Sequence, residues 1–103
     1  MRFLAEDRIA SEIADEIKRN FDYNYSSGVL DFDYELELDD EIINIAGVID
    51  YEVKYEEDVN YAYISWASID IASYTAYNDD GDEIKFRYNV SKIEEYIKNY
   101  LTE

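Results

Sequence analysis

From Leu30 to Leu38 apolar and charged residues alternate without a break. Leu30, Phe32, Tyr34, Leu36 and Leu38 share one parity, while Asp31, Asp33, Glu35 and Glu37 share the other. A period of two sends the sets to opposite faces of a strand, one buried and one wet. Ile42 to Tyr55 repeats the pattern, with Ile43, Ile45, Ile49, Tyr51, Val53 and Tyr55 against Asn44, Asp50, Glu52 and Lys54. Gly47 falls mid-strand, where it marks a bulge or a close approach. Between Val59 and Tyr77 the parity switches, because Ile64 and Trp66 are even while Ile69 and Ile71 are odd. That predicts a bulge or bend near Ala67-Ser68 and gives Trp66 the same face as Ile64. A fourth strand is expected over Glu83 to Tyr88, with Ile84, Phe86 and Tyr88 facing inward.

The ends of the chain change period. Ala5, Ile9, Ala10, Ile13, Ala14, Ile17 and Phe21 form a helical stripe over residues 2–20. Ile93, Tyr96, Ile97, Tyr100 and Leu101 form another, preceded by Ser91-Lys92-Ile93-Glu94, the signature of a capping box with Ser91 as cap. The connections Asp39-Asp40-Glu41, Glu56-Glu57-Asp58 and Asn78-Asp79-Asp80-Gly81-Asp82 are short and polar, and the last holds an Asp-Gly turn signal. The expectation is one α+β domain over residues 1–103, a two-layer α-β-β-β-β-α arrangement. A four-stranded antiparallel meander carries both helices on one face and leaves the other open.

Charge sharpens this picture. The 103 residues hold 26 acids and 9 bases, for a net −17. Residues 22–83 carry eighteen acids and one base, Lys54, which accounts for the whole excess. With 48% apolar residues the chain is nonetheless a folding sequence. It has neither Cys nor His, so disulfides, thiol or Ser-His-Asp catalysis, zinc sites, haem and iron–sulfur ligation are closed to it. No metal site or cofactor is expected. With Gly81 at position six of an EF-hand loop, Ala76 and Arg87 would stand where carboxylates are required. The early acids Glu6 and Asp7 argue against a signal peptide, and a cytoplasmic location is expected. Such a charge disfavours direct contact with nucleic acid or an anionic membrane.

The open face then becomes the candidate site. Asp31, Asp33, Glu35, Glu37, Asp50 and Glu52 would lie on it, flanked by Asp39, Asp40, Glu56 and Glu57 in the turns. Side-by-side like charges cost stability, and only Lys54 relieves them. Carboxylates at strand pitch have a spacing of the same order as backbone phosphates. Such a face suits a basic groove built for nucleic acid; it also suits an ordinary solvated surface. Tyr23 and Tyr25, ahead of the first strand, are candidates for exposed contacts among 12 tyrosines. A flat face on a small two-layer domain leaves little room for an enzyme pocket, so no catalytic residues are expected.

In Asp31-Phe32-Asp33-Tyr34-Glu35-Leu36-Glu37, its acidic turns, its size and its lack of Cys, the chain resembles the phage-encoded DNA-mimic inhibitors of CRISPR effectors and restriction enzymes. That resemblance implies an inhibitor of the host cytoplasm whose partner is a basic nucleic-acid-binding protein. The alternative is an interaction or oligomerisation domain that uses Tyr-rich and apolar surface, with the acids serving solubility. A homodimer fits either.

Overall fold

A computed structural model describes residues 4–20, 27–58 and 61–102. The order is α1 (Leu4–Asn20), β1 (Ser27–Leu38), β2 (Glu41–Glu56), β3 (Tyr61–Tyr77), β4 (Glu83–Ile84) and α2 (Val90–Thr102). The strands form one antiparallel sheet in the order β1-β2-β3-β4, the meander expected from the sequence. Both helices pack on one face, α1 nearest edge strand β1 and α2 nearest β3, with each other along the seam. The expected layering therefore holds.

Burial follows the two periodicities. In β1 Phe32, Leu36 and Leu38 are buried while Asp31, Asp33, Glu35 and Glu37 are exposed. The largest fully buried side chains are all isoleucines: Ile9, Ile13 and Ile17 of α1, Ile43, Ile45 and Ile49 of β2, and Ile93 and Ile97 of α2. Each contributes about 1.5–3 kcal/mol by leaving water. β2 supplies three of them because it lies beneath the seam. Helix α1 opens with Glu6 and Asp7 and closes with Lys18 and Arg19, which suits its macrodipole.

Four local expectations are corrected. β3 carries two bulges, where its register against β2 shifts between Ala46/Gly47 and between Glu52/Val53. Ser65 and Ala72 are the extra residues, and neither bulge lies at Ala67-Ser68. The extra residues are small, so the change of parity shows in the sequence but its positions do not. Trp66 consequently turns away from Ile64, which is buried, and stands 46% exposed on the outer face. β4 is two residues long, pairing only with Ala76 and Tyr77. Beyond it rings take over from the ladder, since Phe86 lies 4.7 Å from Tyr74 and 5.3 Å from Tyr88 between centroids.

The fourth correction concerns α2. Its cap is Asn89, whose Oδ1 accepts from Lys92 N at 3.1 Å while its carbonyl accepts from Ile93 N. Ser91 is inside the helix, and Glu94 is engaged elsewhere: Oε2 accepts from Ile71 N at 2.8 Å, beside the Ala72 bulge. Glu6 in turn accepts from Asn89 N at 2.9 Å, tying α1 to the start of α2. Tyr100 also donates to Asp7.

The tight turns behave as their chemistry requires. Asp39 and Asp40 form a two-residue hairpin loop with φ +55° at Asp39. In the β3–β4 connection Asn78 Oδ1 accepts from both Asp80 N and Asp82 N, and Gly81 takes φ +85°. Gly47 serves a close approach: a Cβ there would lie 2.2 Å from the Asp70 carbonyl oxygen.

Candidate functional site

The register places the carboxylates. Asp31, Asp33, Glu35 and Glu37 stand on the outer face of β1 opposite Val48, Ala46, Asn44 and Ile42 of β2. Successive members are about 6.7 Å apart along the strand. Asp50 is the next residue beyond Val48 on that face of β2, one diagonal step of about 8 Å from Asp31, and Glu52 follows it. Six of the expected residues thus form one bent line from Glu37 to Glu52. None of the six has an ion-pair partner among the described residues.

The remaining candidates are dispersed. Asp39 and Asp40 cap the line at the β1–β2 turn, with Arg8 at 4.0 Å from Asp39. Glu56 and Glu57 are exposed at the other end of a molecule 52 Å long, where Tyr63 donates to Glu56 at 3.4 Å. Tyr23 and Tyr25 lie outside the described residues. The centre of the open face is not acidic, because Ile42, Asn44, Ala46 and Val48 occupy the outer side of β2. The acids run beside this bare strip rather than across it.

Two acidic contributions escape a strand-by-strand reading. Asp70, on β3 opposite Val48, faces the line across β2. Helix α1 presents Glu12, Asp15 and Glu16 to a cleft of about 600 Å³ shared with Tyr34, Glu35, Leu36 and Glu37 of β1. Five carboxylates line it against one guanidinium, Arg19, which sits 2.5 Å from Glu16. Edge strand β1 is therefore flanked by negative charge on both sides. The helical acids were visible in sequence as the polar side of the α1 stripe, but nothing local says which strand they face.

Away from the line, Glu41 is held differently. Tyr88 donates to its Oε2 at 2.5 Å, and Arg87 stands 3.9 Å from its Oε1. Burial, then the hydrogen bond and charge of Glu41, push the Tyr88 phenol up to about 12. This pair fastens the segment after β4 to the start of β2 and is set apart from the outer face.

Among the described residues no group of three or more acids is gathered closely enough to hold a metal ion. No described helix is long and apolar enough to cross a membrane. The chain matches no known family model, no curated protein and no solved structure.

Proposed function

We propose that this chain is a non-enzymatic binding module that sets the acidic line of its outer sheet face into the basic nucleic-acid-binding groove of a partner protein. Such a module would act as an inhibitor in the manner of anti-CRISPR or anti-restriction DNA mimics. The observation that carries the reading is the unbroken run Glu37, Glu35, Asp33, Asp31, Asp50, Glu52, left without a cation among the described residues. A step of about 6.7 Å along β1 corresponds to two phosphates of axial rise on one nucleic-acid strand. Lys and Arg side chains that bind phosphate accept carboxylates with the same charge-assisted hydrogen bonds. A net charge of −17 steers encounter with a basic cleft and makes it salt-sensitive.

The test is capture from a lysate of the source organism, eluted first with duplex DNA and then with about 0.5 M salt. A nuclease or other nucleic-acid-binding protein released by DNA is the expected result. A partner that ignores DNA and survives high salt would overturn the reading.

Such a result would favour a second reading, for which Val29, Tyr55, Tyr61, Trp66 and Tyr74 give specific support as exposed apolar side chains. In it these side chains dock a partner or a second copy and the acids keep the chain soluble. Affinity would then hold or tighten as salt rises.

A further inference from the structure

The acidic line ends in a groove with an aromatic wall. Glu52 pairs across β2–β3 with Trp66 and across β1–β2 with Ser27, and Asp50 pairs with Val29. Ser27, Val29, Asp50, Glu52 and Trp66 are among the residues that line this shallow groove of about 300 Å³, which is open to solvent. The bulge at Ser65 makes this arrangement, since a regular strand would have sent Trp66 inward with Ile64. Ser65 itself donates to the Glu52 carbonyl at 3.3 Å, fixing the bulge against the strand that carries both acids.

We propose that this groove receives an arginine side chain of the basic partner, its guanidinium stacked on Trp66 and paired with Asp50 and Glu52. The inference rests on the reading that the acidic line meets a basic protein, and it names the anchor of that contact. An indole face attracts cations more strongly than any other aromatic side chain. The two carboxylates add complementary charge, while Val29, 66% exposed, offers apolar surface to the methylene stem. Arginine fits better than lysine because its guanidinium is planar, weakly hydrated and able to stack and hydrogen-bond at once. Lys54 is the nearest cation on this face, two residues beyond Glu52, and it forms no ion pair among the described residues. Its own position faces Tyr63, outside the groove lining.

Trp66 is the single tryptophan of the chain, so its emission reports on this groove alone. The full chain is titrated with tetra-arginine peptide in about 50 mM salt, with emission reading the groove and calorimetry reading all binding. Tetra-lysine and uncharged tetra-citrulline are the controls. Tetra-arginine is expected to change Trp66 emission saturably, tetra-lysine more weakly and tetra-citrulline not at all. The Asp50→Asn/Glu52→Gln variant, conservative at exposed positions, should weaken the emission response roughly ten-fold. Asp31→Asn/Asp33→Asn/Glu35→Gln/Glu37→Gln should lower the calorimetric affinity and leave that response in place. Calorimetric binding with unchanged emission would overturn the groove and spare the acidic line. Equal responses to lysine and arginine would overturn the guanidinium assignment, and absence of any binding would overturn both readings.

Discussion

A surface kept acidic for binding should cost the fold some stability, and β1 allows the cost to be worked out. Asp31, Asp33, Glu35 and Glu37 make three neighbouring pairs at about 6.7 Å. In a water-like dielectric each pair repels by about 0.6 kcal/mol, hence about 2 kcal/mol for the line before screening. At 0.1 M salt, with a Debye length of about 10 Å, roughly half survives, near 1 kcal/mol. The variant Asp33→Asn/Glu35→Gln removes a charge from all three pairs while keeping the side-chain shapes. Urea unfolding followed by Trp66 emission should show it about 1 kcal/mol more stable at 0.1 M salt, with an advantage shrinking to about 0.2 kcal/mol at 1 M. Binding to a basic partner should fall in the same variant. Equal or lower stability at low salt, or a difference independent of salt, would refute the repulsion argument.

Gly47→Ala should cost about 3 kcal/mol or more, because its Cβ would meet the backbone of Asp70 and Ile71 at 2.2 and 2.9 Å and neither can rotate aside. Gly81→Ala meets no atom within 4 Å and should cost only about 1 kcal/mol for its positive φ, so a reversed order in urea midpoints would contradict the β2–β3 packing. Asn89→Ala should destabilise by about 1 kcal/mol and Ser91→Ala by less than about 0.5 kcal/mol, since Asn89 holds the cap; equal losses in thermal unfolding would argue against that assignment. Tyr88 keeps its proton up to about 12 in the folded chain against 10.0 for an ordinary phenol. Its contribution is full below the unfolded value and is lost as pH rises from 10 through about 12. Urea midpoints across that window should fall less steeply for Tyr88→Phe than for wild type, and parallel curves would contradict the burial of Tyr88 together with its Glu41 contact.

The elements were legible where one physical rule governed a whole segment. Alternation over nine residues of β1 and the isoleucine stripes of the helices leave one way to bury apolar surface, so layers, strand order and wet face follow from them. What escaped were positions where two rules compete. Ser91 and Glu94 fit a capping box, but Asn89 caps two residues earlier and the tertiary contact to Ile71 N takes the glutamate. Phe86 and Tyr88 alternate like strand residues, yet ring packing holds them where the ladder has stopped. The site divided in the same way. The β1 acids share one periodic segment and therefore one face, whereas Trp66 reaches the surface through an extra residue, Ser65, whose position the parity switch in the sequence leaves unmarked. Joining Glu12, Asp15 and Glu16 to Glu35 and Glu37 required the packing of α1 on β1.

The most direct test of the acidic line is competition on a purified pair. A captured partner is loaded with a fluorescent DNA duplex, the chain is titrated in, and anisotropy follows the duplex. Wild type should displace the duplex near one equivalent at about 0.1 M salt and lose this ability steeply as salt rises. The Asp31→Lys/Asp33→Lys/Glu35→Lys variant, altered only at exposed β1 positions, should remain folded and displace nothing. Displacement by that variant as effectively as by wild type, or a stable assembly holding both chain and duplex, would contradict the claim that these carboxylates stand in for phosphates.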